Sequence, residues 1–392
     1  MKTSANDSDF SRFFAAGNEA FGRGEFENSI RLYSRAHQLN SGHAVLLANI
    51  AATLYELGQF DESEIFARQS ISRSPNYNRP HITLGMLRLL QGDFANGWRE
   101  YEWVATLAEK FRSMPPEREW KGENLQGTRI VVIDEQGYGD TLQFIRFAAR
   151  LVNRGAEVFL DVKAPLRRLL AGNPHLGKVL YPGDPNEYSK WTRLLSIPAV
   201  LEEDENTIGR PERHLQPPPL PFRSRINKCA GRKIGLIWKG SASNSRDANR
   251  SLSVSDFAPV FCLADRFPDL HFFHLHNLPF TAEIAAAGLT DRLIEMDGEM
   301  KDFADLAAII EAMDLVVTID TAVAHLAGAL GKRTLCLLSF VPDWRWEIGK
   351  EQSTWYPKTR LIRQPAQNDW HTPIKETAQY IASWAEKRAT VR

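Results

Sequence analysis

The run LVVTIDTAVAHLAGALG, residues 315–331, decides how the second half of the chain folds. Its first six residues, 315–320, are mostly apolar and β-branched, as a buried strand requires. A helix is expected from 321 to 330, and its Ala and Gly side chains let it lie close on a sheet. Strand, polar turn and helix together make the unit of a parallel α/β sheet. The same alternation extends outward in both directions. Downstream comes the strand TLCLLS (334–339). Upstream lie the strands KIGLIW (233–238) and LHFFHLH (270–276), with helices expected near 255–267 and 301–313. Further upstream lie RIVVID (129–134), EVFLDV (157–162) and KVLYP (178–182), with helices expected at 141–153 and 165–171. QPPPLPFRSR (216–225) has the composition of a linker and splits the strands into two lobes. Ligands of such folds bind at the C-terminal ends of the strands, here in the cleft between lobes.

The first third repeats. Gly24, Gly58 and Gly92 are 34 residues apart, and Phe26, Phe60 and Phe94 keep the same spacing. Gly17, Ala51 and Gly85 precede each glycine by seven residues; Tyr33, Ala67 and Tyr101 follow it by nine. A 34-residue helix–turn–helix period with small residues at the helix contact is the tetratricopeptide (TPR) pattern. Three repeats are expected over 10–110. Such arrays present a groove to a protein partner, or brace the domain that follows, and the sequence leaves both uses open.

The chain has 392 residues, enough for two or three domains. It carries 48 Lys plus Arg and 48 Asp plus Glu, and zero net charge excludes a broadly basic nucleic-acid binder. No apolar run spans a bilayer and the N-terminus lacks a signal-peptide pattern, so a cytoplasmic protein is expected. Cys229, Cys262 and Cys336 are too scattered for a disulfide framework.

Four stretches can carry chemistry. Gln136, Gly137, Tyr138, Gly139 and Asp140 lie between the strand 129–134 and its helix. Glycines there admit a substrate to the backbone, and Asp140 is placed either to take a proton from an acceptor or to cap the helix. The third glycine of the dinucleotide fingerprint is missing, which disfavours a nicotinamide cofactor. Asp320, Thr321, Ala322, Val323 and His325 start the helix after the strand 315–320, where N–H groups and the helix dipole suit a diphosphate. Trp238, Lys239, Gly240 and Ser241, with Arg246 and Arg250, end the first strand of the second lobe; the cations there can neutralise a leaving diphosphate. FVPDWRWE (340–347) offers Trp344 either to a base or sugar ring or to packing. His276 ends its strand and can reach the cleft. A zinc site from His271, His274 and His276 on one strand is geometrically awkward, so no metal is expected.

These stretches together resemble bacterial TPR-containing glycosyltransferases. The catalytic part is similar to glycosyltransferase family 9, the lipopolysaccharide heptosyltransferases, and more distantly to O-GlcNAc transferase. The resemblance rests on QGYGDT (136–141), WKG (238–240) leading to NRS (249–251), DTAVAHLAGALG (320–331) and VPDWRW (341–346). It implies a GT-B fold of two Rossmann-like lobes behind the repeats. It also implies inverting, metal-independent transfer from a nucleotide-diphosphate sugar, with no further cofactor, to a protein or saccharide acceptor. Asp140 takes the position of the family's base, and Asp320, Thr321, Ala322 and His325 that of its donor-phosphate motif. Ala322 stands where the heptosyltransferases have Gly, and Lys239 where related TPR proteins often have Ala. The expected layout is repeats 10–110, acceptor lobe 128–216, donor lobe 230–370 and a terminal helix 371–392. A non-catalytic TPR adaptor that binds nucleotide sugar is the alternative.

Overall fold

The computed structural model describes residues 2–184, 187–208, 212–221, 224–241 and 246–389. Its contacts divide the chain into two units. One runs to Pro115 and also holds 202–207 and 341–348; the other holds 116–201, 208–340 and the chain from Gly349 onward.

The first unit is a TPR-like helical array. Its helices are α1 (Lys2–Gly22), α2 (Phe26–Leu39), α3 (Ala44–Glu56), α4 (Phe60–Arg73), α5 (Asn78–Leu90) and α6 (Phe94–Tyr101). Gly24, Gly58 and Gly92 each close a helix turn at φ between 75° and 82°, a region in which a side chain is strained. The small residues do the work read from their spacing. A Cβ on Gly17 would stand 2.5 Å from the Tyr33 ring, and one on Gly85 2.6 Å from the Tyr101 backbone nitrogen. The repeat extends to hydrogen bonds. Ser29 Oγ donates to Gly17 O and Ser63 Oγ to Ala51 O, again 34 residues apart.

The third repeat ends early, because α6 has eight residues where α2 and α4 have fourteen. Remote chain completes it. The Trp98 indole donates to Glu203 O at 2.9 Å, and the Ile348 amide donates to Leu90 O at 2.9 Å. Trp344 meets Trp98 and Tyr101 edge-on, with ring centroids 5.5 and 5.3 Å apart.

The second unit holds two parallel sheets, the two-lobed arrangement expected of a GT-B fold. The first comprises β1 (Arg129–Ile133), β2 (Glu157–Asp161), β3 (Lys178–Val179) and β4 (Lys190–Arg193), in the order β3-β2-β1-β4. The second comprises β5 (Arg232–Ile237), β6 (Leu270–His274), β7 (Leu293–Glu295), β8 (Leu315–Ile319), β9 (Thr334–Leu338) and β10 (Thr359–Arg363), in the order β10-β9-β8-β5-β6-β7. Read from β7, that is the doubly wound order 3-2-1-4-5-6, with its switch point between β5 and β8. β8 is buried along its whole length, as its unbroken apolar run requires. The expected single helix at 255–267 is instead three short pieces between Val254 and Arg266, the middle one starting at Ala258 with Pro259 in its first turn. Among the described residues no helix is long and apolar enough to cross a membrane.

Candidate functional site

The loops that matter leave strand ends at the switch points. In the first sheet the chain runs from β1 to β2 and β3 on one side and then crosses to β4 on the other side of β1, so the loop after β1 sits at the reversal, where a crevice must open. It begins with Asp134 and Glu135, both buried, and passes through Gln136, held at φ 57°. Helix α7 (Tyr138–Phe144) follows. Asp134 Oδ2 accepts from Lys163 Nζ at 2.8 Å and from the Thr141 hydroxyl at 3.2 Å, so this carboxylate is sealed in and neutralised. Glu135 Oε1 accepts from the Leu195 amide at 3.3 Å. Asp140 is half-buried, and its Oδ2 accepts from the Gly137 amide at 2.7 Å. It therefore caps its helix, as one of its two readings had it. It is also the most exposed of the three carboxylates in the loop.

β5 and β8 are likewise neighbours, and each ends in one of the other motifs. After β8, Thr321 caps the helix Ala322–Ala329 by accepting from the Val323 amide at 3.3 Å. His325 is 4% exposed and its Nδ1 lies 3.0 Å from the Tyr356 hydroxyl. After β5, the Lys239 amide donates to His276 Nε2 at 3.1 Å, and the Gly240 amide donates to Ser251 Oγ at 3.0 Å. Arg250 Nη1 donates to the Asp320 carbonyl at 2.6 Å, which ties the two loops together. Gly240 is bare for a reason: a Cβ there would stand 2.1 Å from Asp247 Oδ1 and 2.8 Å from Arg250 Nη2. Ser241 is exposed at the end of this stretch. The residues 242–245 between Ser241 and Arg246 lie outside the described residues.

The first and second lobes meet at these motifs. A Cβ on Gly139 would stand 2.9 Å from His325 Cδ2 and 3.5 Å from Ala322 Cα. Tyr138 lies against Phe303 of the second lobe, centroids 5.0 Å apart. Arg168, from the helix Ala164–Ala171, pairs with Asp302 at 2.6 Å and also with Asp305, at the start of the helix Phe303–Glu311. These two carboxylates hold the Arg168 guanidinium above its ordinary pKa.

Four expectations change. Trp238 is fully buried against His274, His276 and Phe280. Trp344 is buried in the aromatic cluster that completes the third repeat. Neither ring has a face for a ligand, because neighbouring rings, and for Trp344 the Arg345 guanidinium, cover them. The cations also differ from the reading of a basic loop. Lys239 Nζ pairs with Glu283 at 2.6 Å and Arg250 with Asp247 at 3.3 Å, so the charge of each is balanced by a carboxylate. His276 is 8% exposed, and burial, with help from His274, lowers its pKa to about 2. It stays neutral and anchors the Lys239 backbone rather than offering a charge. Among the described residues no group of three His, Cys, Asp or Glu side chains could hold a metal ion. The three cysteines are free.

The sequence reading missed Glu283, Lys163 and Tyr356, which hold Lys239, Asp134 and His325 respectively. The one local signal was Asp134, an acid ending a buried strand just before a glycine loop.

Residues 280–359 match the family model described as glycosyltransferase family 9 (heptosyltransferase). Protein FlbA of Caulobacter vibrioides is 25% identical over 407 residues, covering 95% of this chain; the chain spans 65% of the length of that relative. Among solved structures, E. coli ADP-heptose lps heptosyltransferase II is 12% identical. That likeness covers 67% of this chain and 99% of the other, at a TM-score of 0.44. The second TPR of Spaghetti (RPAP3), bound to an HSP90 peptide, is 23% identical and covers 28% of this chain and 100% of its own, at 0.26. The matched segment 280–359 contains the Asp320–His325 motif and Tyr356. Over that segment the chain is similar to the glycosyltransferase family 9 (heptosyltransferase) model.

Proposed function

We propose that this chain transfers a sugar from a nucleotide-diphosphate donor to a hydroxyl or amide of a protein or saccharide acceptor, with inversion and without an essential metal. The observation that supports the reading is the meeting of Gly139 with Ala322 and His325, which brings the loop that carries Asp140 against the start of the helix Ala322–Ala329. In this reading Asp140 removes the acceptor proton, and the acceptor lies over Gln136, Gly137, Tyr138 and Gly139. The amides at the start of the helix Ala322–Ala329, together with His325, take the leaving diphosphate. Lys239 and Arg250 shape this pocket through their ties to Glu283 and to the Asp320 carbonyl. Lys239 reaches the donor by exchanging Glu283 for a phosphate. The TPR-like array would hold a protein partner or acceptor.

The test has two arms. Calorimetric titration with UDP, ADP and GDP should find one that binds, and binding of none would remove the donor site. Asp140→Asn should lower turnover by about 10²–10⁴-fold while leaving nucleotide affinity nearly intact. An unchanged rate would take Asp140 out of the mechanism. Nucleotide binding with no transfer to any acceptor would favour the adaptor.

A further inference from the structure

We infer that Arg168 is a positioning residue: it grips the first turn of the helix Phe303–Glu311, holds Phe303 against Tyr138, and so fixes the loop that carries Asp140. The inference rests on the reading of Asp140 as the group that takes the acceptor proton.

The grip is built on a helix cap. Asp302 caps the helix Phe303–Glu311, its Oδ1 accepting from the Ala304 amide at 2.9 Å and from the Asp305 amide at 3.2 Å. The same carboxylate receives both prongs of Arg168 from the first lobe. Nε donates to Oδ2 at 2.8 Å and Nη2 donates to Oδ1 at 2.6 Å. Nη2 also donates to Asp305, whose other oxygen accepts from the Lys301 amide at 3.0 Å. Both carboxylates are thus held by backbone amides, and through them the guanidinium is tied to the backbone of this turn. A planar fork on a carboxylate fixes direction as well as distance, which a lysine ammonium does not.

Phe303 follows Asp302 directly. Its ring centre is 5.0 Å from that of Tyr138, with the planes tilted by 50°. Tyr138 is the first residue of α7, one position before Gly139 and two before Asp140. It is 39% exposed, so burial does little to hold it, and the contact with Phe303 sets its place. Two adjacent residues of one turn, Asp302 and Phe303, therefore engage two points of the first lobe, Arg168 and Tyr138. Loss of the ionic point leaves Phe303 free to draw back from the loop. That ionic point is open to solvent, with the Arg168 side chain 52% exposed and that of Asp302 21%. Salt reaches it, and at 1 M the screening length shrinks to about 3 Å from about 10 Å at 0.1 M. The seat of Tyr138 is thereby coupled to ionic strength.

The experiment uses the full chain labelled with 3-fluorotyrosine and read by ¹⁹F resonance, with Tyr138 assigned by its loss in Tyr138→Phe. Phe303→Leu keeps apolar bulk and removes the ring, and it marks where the Tyr138 signal lies once that contact is gone. Arg168→Ala should move the signal toward that mark, and Arg168→Lys should move it part of the way. Raising sodium chloride to 1 M should move the parent signal in the same direction and leave that of Arg168→Ala nearly still. A signal unmoved in Arg168→Ala, or moved by salt equally in the parent and in Arg168→Ala, would overturn the inference. Sugar transfer gives a second readout. Arg168→Ala should lower turnover about 5-fold, the scale of a half-exposed ion pair, with nucleotide affinity nearly unchanged. In a Phe303→Leu background the same change should cost less than about 2-fold, since the two residues act through one contact. Equal losses in both backgrounds would make Arg168 a tie between lobes and nothing more. If the parent chain transfers no sugar, the reading of Asp140 fails, and the resonance still decides whether Arg168 seats Tyr138.

Discussion

Gly139→Ala probes the meeting of the two lobes with a single carbon. The added Cβ would stand 2.9 Å from His325 Cδ2, whereas ordinary contact begins at 3.4 Å. The pair must therefore separate by about 0.5 Å. His325 cannot easily give way, because it is 4% exposed and its Nδ1 is tied to Tyr356 at 3.0 Å. Ala322 Cα, 3.5 Å from the new carbon, blocks the sideways escape. The strain falls on the spacing between the loop that carries Asp140 and the helix Ala322–Ala329. Overpacking costs roughly 1–3 kcal/mol, and at a seam between lobes the lower end applies. The geometric cost is larger in its effect on rate. A misplacement on the order of 1 Å costs about 10²-fold in turnover, so half of that costs about tenfold. The assay compares initial rates of sugar transfer with thermal unfolding and nucleotide titration. Turnover should fall about tenfold, the melting temperature by a few degrees, and nucleotide affinity less than turnover. A Gly139→Ala chain with the parental rate would refute the reasoning, because the two loops would then not act as one site.

Two further predictions concern residues whose role the structure revised. Trp344→Ala should cost about 3–5 kcal/mol, felt in the repeat unit as faster amide exchange in α5 and α6, with nucleotide affinity unchanged. Loss of nucleotide binding with α5 and α6 still protected would return Trp344 to the ligand. His276 has a folded pKa of about 2 against about 6.5 when unfolded, so the unfolded chain takes up the proton first as pH falls. Its stabilising contribution is complete above about pH 6.5 and is lost progressively below it, by at most about 1.4 kcal/mol per pH unit. His276→Gln keeps an acceptor for the Lys239 amide and removes the titration. Urea unfolding from pH 7 to pH 5 should therefore show a shallower loss of stability in this variant, and equal slopes would contradict the assignment.

The central strands were legible because burial on both faces leaves an unbroken apolar run, as in LVVTI and TLCLL. The edge and short strands were not. β4 reads KWTR and β10 reads TRLIR, with charges at their ends that face solvent or neighbouring loops. β7 has three residues, too few for a period to show. The repeats were readable to the residue, because a helix turn at positive φ and a helix contact each demand a small side chain at a fixed place. The site was half readable. Strand-end motifs announce themselves, since they interrupt an apolar run with Gly, Asp, Thr or Lys. What each side chain does there depends on partners far away in sequence: Glu283 is 44 residues from Lys239, and Tyr356 is 31 residues from His325. Trp344 shows the same limit, as nothing in VPDWRW tells which apolar surface it will join.

The two excursions of chain at 202–207 and 341–348 bear on how this protein can be taken apart. A TPR array is usually a portable module, cut at its ends and moved between proteins. Here the last repeat borrows Glu203, Trp344 and Ile348 from segments interleaved with the lobes. A fragment ending at Pro115 would carry Trp98 with its indole N–H unpaired and its ring uncovered. Recombination or truncation at that seemingly natural border would therefore yield a sticky, frayed fragment, and the array and the lobes are bound to be inherited as one piece.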